Sequence, residues 1–305
     1  MIILLLQYGP AAIGLLLALG ALFVHRRSRA NLPLAARIST AVGMVIALGC
    51  MIAFTVWSVF PAWVPPLGDD GFLILQLARY LFPLILCAVA LVFLIVPVPS
   101  RGPRGSAELA PRTFTTFASR RWLGSAAGVI VAIATLSVLA GLASSPDDAG
   151  RYVMFEVQAS SSASAGTTMY GWWFSLPCLT LVALIVTITL FDLVVISRPA
   201  LDHDTESDTS TRTARVRNVL AVSTGGLLLH LGAVLQSLYG TSTLHMGLEA
   251  GQAGWVELGT SFAAIGPVLL VASFVSVILG MAMWWSTLLT VVPARARQSS
   301  KFVLT

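Results

Sequence analysis

The stretch Ile2–Arg29, IILLLQYGPAAIGLLLALGALFVHRRSR, sets 23 residues without a charge directly against three arginines. About 20 apolar residues in a helix cross roughly 30 Å of hydrocarbon. A cluster of arginine at one end of such a segment marks the cytoplasmic side. The same unit recurs along the chain with alternating polarity. Apolar segments fall at about 2–24, 38–60, 72–96, 122–143, 174–196, 219–239 and 261–292. Of the 18 Lys and Arg, all but Arg79 and Arg151 lie in the first, third and fifth connections and the C-terminal tail. The alternation predicts an all-α membrane protein, a seven-helix transmembrane bundle with its N-terminus outside and its C-terminus cytoplasmic. No basic region precedes the first segment, which reads as a retained anchor rather than a cleaved signal peptide.

Composition agrees with that reading. Charged residues make up 10% of the chain and the mean hydropathy is +0.88, whereas soluble domains carry about 25% charged residues. The net charge of +5 does not point to nucleic acid, because the arginines hug the ends of apolar segments, where they face anionic lipid headgroups. The bilayer is therefore the expected partner. Seventeen arginines against the single Lys301, with abundant Ala, Gly and Val, suit a bacterial host and its plasma membrane. The whole chain, 1–305, reads as one bundle, since no single segment is a domain alone. Ser197–Asn218 reads as a solvated, flexible inner linker, and Gly124, Ala126, Ala127 and Gly128 as a close-packing helix face.

Three ionisable residues inside the segments are candidate ligand or ion contacts. Arg79 sits about seven residues into the third segment, roughly 10 Å below the outer boundary. Burial of an arginine there is costly, so it either contacts an anion at an outer cavity or reaches up to Asp69, Asp70 or Glu156. Asp192, near the inner end of the fifth segment, is either a proton- or cation-coupling carboxylate or a partner of Arg198 or Arg217. His230, in the middle of the sixth, either serves such a site or donates to a neighbouring carbonyl or hydroxyl. No second histidine lies in a segment, which sets aside a bis-histidine haem. Cys50, Cys87 and Cys178 form no metal pattern. The acidic run Asp202, Asp204, Glu206, Asp208 lacks the glycine and glutamate of a calcium loop. No cofactor is expected.

Outside the membrane, Arg151–Val157 is rich in aromatic and β-branched residues, and a Ser/Ala/Gly run at Ala159–Gly166 leads into Thr167–Trp173. This predicts a small extracytoplasmic β-hairpin bearing Arg151, Tyr152 and Glu156, with Trp172 and Trp173 as interfacial anchors. Gly-Arg-Tyr (150–152), the Ser/Gly-rich run after it and Tyr-Gly-Trp-Trp-Phe-Ser-Leu-Pro (170–177) also resemble a set of uncharacterised actinobacterial integral membrane proteins. The likeness extends from Gly150 to about Gln236 and implies a multi-pass membrane protein without supplying a catalytic or binding residue.

Function is read by exclusion. There is no Walker P-loop, HExxH, GxSxG or pair of intramembrane carboxylates, and no lysine in the last segment for a retinal Schiff base. Enzyme chemistry is therefore not expected, and a lipid-modifying enzyme is the least supported class. A membrane component of a transport or export system fits best, with a cytoplasmic ATPase or other membrane subunits as candidate partners. An accessory or sensory protein that binds through its outer loops is the alternative.

Overall fold

The computed structural model describes residues 2–24, 32–59, 68–95, 118–160, 163–197, 205–249 and 255–292. Seven helices follow one another: α1 (Ile2–Val24), α2 (Leu34–Val59), α3 (Asp69–Leu94), α4 (Arg120–Leu142), α5 (Trp172–Ser197), α6 (Thr205–Ser242) and α7 (Gly266–Leu289). Six of them, all but α1, are long and apolar enough to cross a membrane. Within α1 the apolar stretch Gly9–Val24 is shorter, though the whole helix runs 23 residues. The chain is thus a helical, multi-pass membrane protein.

Successive helices run in opposite directions, and contacts at their ends show it. At one end Arg151 reaches Asp70 at the start of α3, and Thr260 Oγ1 donates to the Ser242 carbonyl at the end of α6. At the other end Arg215 donates to the Leu94 carbonyl that closes α3. Arg212 donates to Ile196 near the end of α5, Asn218 to Thr290 just past α7, and Arg37 near the start of α2 to the Val291 carbonyl. The described arginines of the odd connections (Arg37, Arg120, Arg121, Arg212, Arg215, Arg217) accordingly share this second, basic end.

The central element is α6. In its apolar window 94% of residues are buried, against at most 44% in any other spanning helix, although it is the least apolar of the six. Lipid accepts an apolar outer surface, so polar side chains collect inside a bundle where they can find partners. The outer helices behave conversely and expose Leu16, Val45, Ile74, Val131, Leu190 and Val268. Glycines let neighbours approach α6: a Cβ at Gly226 would meet Cys87 of α3 at 2.5 Å, and one at Gly225 would meet Trp284 of α7 at 2.6 Å. The expected close-packing face of α4 is elsewhere. Gly124 and Gly128 have open space beside them, whereas Gly141 is covered by Trp172.

Two small sheets close the non-basic end. Strands β1 (Ser145–Pro146), β2 (Tyr152–Ser160) and β3 (Ala163–Thr168) form an antiparallel sheet in that order, with Phe155 opposite Thr167 and Val157 opposite Ala165. The expected hairpin is present, but its return strand uses the Ser/Ala/Gly run itself, and residues 161–162 lie outside the described residues. A second hairpin, β4 (His245–Glu249) and β5 (Trp255–Gly259), was not anticipated. It touches β2, and Phe155 meets Phe262 edge-on at 5.5 Å, so the two sheets form one cap.

Two expectations are corrected by the helix bounds. Residues 205–218 are not a flexible linker: they are the first third of α6, and Asp208, Thr211, Arg212, Arg215 and Asn218 within them are buried. The last helix spans 24 residues rather than 261–292, because its outer part is a turn and a 3-10 segment at Ala263–Ile265. Pro267 falls in its first turn, where a missing N–H costs nothing.

Candidate functional site

Among the described residues, the densest group of buried charge lies where α3, α5 and α6 meet at the basic end. Four helical positions of α6, Asp208, Thr211, Arg212 and Arg215, recur at three- and four-residue spacing and so share a face. Arg212 Nε lies 2.9 Å from each oxygen of Asp208, and both side chains are 1% exposed. Its Nη1 donates to the Ile196 carbonyl at 2.6 Å. Arg215, 8% exposed, donates to the Leu94 carbonyl at 3.3 Å. This end of α6 thereby satisfies last-turn carbonyls of α3 and α5 that a helix cannot satisfy internally.

Asp192 of α5 is fully buried, and neither carboxylate oxygen has a hydrogen-bond donor among the described residues. Among the described residues, the cation whose field acts on it is Arg215. Thr189, one turn earlier on α5, also has a buried hydroxyl without a partner among the described residues. Of the expected partners, Arg217 is exposed on another face of α6, and Arg198 lies outside the described residues. Asp192 therefore lies in the field of an arginine without, among the described residues, the hydrogen bonds that normally accompany a buried carboxylate. A carboxyl so placed has unused capacity to hold a proton or a small cation.

His230 belongs to a second polar group farther up α6. Fifteen residues separate it from Arg215, or about 22 Å along the helix. Its Nδ1 is 2.9 Å from the Tyr80 backbone carbonyl. A carbonyl can only accept, so Nδ1 carries the proton and Nε2 faces the Tyr170 hydroxyl at 3.5 Å. Tyr80 and Tyr170 meet edge-on at 4.8 Å, and Tyr80 and Phe174 at 5.4 Å. The histidine thus ties α6 to α3 and to the segment leading into α5. Two further buried hydroxyls lie in this half of the bundle: Ser137 of α4, beside the Tyr170 hydroxyl, and Ser175 of α5, which has no partner among the described residues.

Arg79 precedes Tyr80 on α3. Because α3 starts at Asp69, Arg79 is ten residues in, about 15 Å along the helix, deeper than the sequence suggested. It is half-buried and reaches Gln76 at 3.5 Å. The outer acid Asp70 is engaged by Arg151 at 2.6 Å, and Glu156 is exposed on β2. The side chain of Asp69 lies outside the described residues.

At the cap, Arg151 Nε also bonds Asp147 at 2.8 Å. The Asp147 carboxyl accepts from the backbone N–H of Arg151 and of Ala149, a turn that Gly150 closes at φ 78°. The Arg151 backbone N–H and guanidinium hold this carboxyl below the usual carboxylate range, and Asp70 and Asp147 raise Arg151. Tyr152 is exposed on β2. Trp172 and Trp173 are half-buried in the first turn of α5, the former over Gly141 and the latter edge-on to Phe174 at 4.9 Å. They act as packing residues as well as boundary aromatics.

Sequence reasoning singled out Asp192, Arg79 and His230 and missed Arg215, the Asp208–Arg212 pair, Tyr80 and Tyr170. The three- and four-residue spacing of Asp208, Arg212 and Arg215 is the signal that would have found the first three. Among the described residues no group of His, Cys, Asp and Glu is arranged to hold a metal. The chain matches no family model, no curated protein and no solved structure.

Proposed function

We propose that this protein is a membrane component of a bacterial transport or export system, and that Asp192 with Arg215 is its coupling site. The observation that carries the reading is the fully buried carboxylate on α5, without a hydrogen-bond donor among the described residues and within the field of Arg215 of the central helix. Ionisable groups within spanning helices are costly and mark ion and proton pathways. In this reading all seven helices cross the plasma membrane. The sheet cap is extracytoplasmic, the N-terminus is outside and the basic end is cytoplasmic. A cytoplasmic ATPase docks on the basic end.

Purified protein in vesicles holding a pH-sensitive dye tests the coupling role. An imposed potential should drive proton entry with the native chain and with Asp192→Glu, and not with Asp192→Asn. Native vesicles no leakier than empty ones would refute it. The cap favours a second reading, an accessory or sensory protein that binds a partner. Its two sheets meet between β2 and β5, Phe155 packs on Phe262 just after β5, and Arg151 ties the cap to α3 through Asp70. Under that reading, deleting Ala159–Gly166 removes a co-purifying partner and leaves the bundle folded.

A further inference from the structure

The bundle has an opening on its flank at the basic end. There α4 packs on α5 and α6 but not appreciably on α1 or α7. The gap is a cleft of about 410 Å³, within the roughly 300–1,000 Å³ of small-molecule sites. Its walls are apolar, with Leu17 of α1 and Leu279, Ala282 and Met283 of α7, and its floor is Ala221 of α6. Its inner end is polar, with Arg217, Asn218 and Ser286, and Trp122 of α4 stands at the side. Arg217 is exposed, and nothing among the described residues pairs with it. Among the described residues no acidic side chain lines the cleft, and Arg120 and Arg121 are exposed in the first turn of α4 just before Trp122.

We infer that this cleft binds one anionic glycerophospholipid, an acyl chain between α4 and α7 and the phosphate on Arg217. Three features select this occupant over a peptide or a soluble anion. The polar end lies level with Thr290, just past the end of α7, because Asn218 donates to Thr290 Oγ1 at 2.9 Å. With the basic end at the cytoplasmic interface, as in the proposed function, that is the level of the lipid phosphates. The apolar walls continue from it toward the bilayer interior, as an acyl chain does, and Leu17 and Leu279 are exposed there. The charge of the described residues at the mouth is positive, and a guanidinium pairs with phosphate through two parallel hydrogen bonds. Basic pockets between spanning helices are suited to anionic headgroups. The site is separate from Asp192, which lies on the side of α6 that faces α5.

The test is native mass spectrometry of the full chain in mild detergent, after equilibration with equal amounts of phosphatidylglycerol and phosphatidylcholine. One phosphatidylglycerol should remain bound per chain. Arg217→Gln should lower its retention about fivefold, the attraction of one interfacial arginine, and Ala282→Phe, which fills the cleft, should abolish it. Equal retention of the two lipids, or retention unchanged in Arg217→Gln, overturns the inference. Arg217 is exposed, so that variant decides the matter even where Ala282→Phe fails to accumulate.

Discussion

Asp208→Asn distinguishes a buried α6 foot from a solvated linker. Both members of the Asp208–Arg212 pair are 1% exposed and joined by two contacts of 2.9 Å. The substitution keeps the volume but leaves the guanidinium buried opposite a neutral amide. Breaking one partner of a buried ion pair costs about 3–5 kcal/mol, because the remaining charge is uncompensated. An i,i+4 pair on a solvated helix is worth only about 0.3–0.5 kcal/mol. The tenfold difference makes the measurement decisive. Asp208→Leu with Arg212→Met removes both charges together. It should fall within about 2 kcal/mol of the native chain, the lost Ile196 contact offsetting the relief of desolvation. Unfolding can be followed by SDS titration with a thiol-reactive dye, since Cys87 and Cys178 are fully buried. A Cys50→Ser background removes the exposed thiol. A cost of Asp208→Asn below about 0.5 kcal/mol would refute the buried foot.

Other consequences are equally open to measurement. Gly171 has the Tyr152 carbonyl and Ser144 against the place a Cβ would occupy; Gly171→Ala should cost about 1–3 kcal/mol by overpacking, read in the same titration. The lowered Asp147 carboxyl stabilises the cap above its unfolded value near pH 3.9 and loses that contribution as pH falls through the still lower folded value. Protection of the β2 and β3 amides, taken relative to the intrinsic exchange rate at each pH, should therefore fall only in acid, and Asp147→Ala should flatten that dependence. Arg79→Gln removes a half-buried guanidinium with one 3.5 Å contact to Gln76 and should change stability by under about 1 kcal/mol. A variant that no longer accumulates would mean that Arg79 holds the bundle together.

Much of this architecture is legible in the sequence, for physical reasons. Apolar length and arginine alternation answer directly to bilayer thickness and leaflet charge, so the helices and the common basic end follow from them. The β2 strand shows because aromatic and β-branched residues cluster at 152–157. The foot of α6 does not, because burial of charge depends on pairing across helices, and Thr205–Asn218 alone has the composition of a loop. Its regular Asp208, Arg212, Arg215 spacing was the weak trace of a helix. The second hairpin was hidden for a related reason: His245–Glu249 and Trp255–Gly259 are only five residues each, too short for alternation to stand out. The α4 glycines misled because small residues permit close packing without saying which helix face is used. At the site, Asp192 and His230 stood out as ionisable residues within spans, but Arg215 was assigned to a loop, so the opposing charge could not be seen.

The most direct test of the central claim is infrared difference spectroscopy of the Asp192 carboxyl in the bilayer, recorded as pH is stepped. A coupling site predicts a carboxyl band that gains and loses intensity with pH, shifts on hydrogen–deuterium exchange and is missing from Asp192→Asn. A native spectrum indistinguishable from that of Asp192→Asn at every pH would mean that Asp192 does not exchange a proton, and the coupling role would fall.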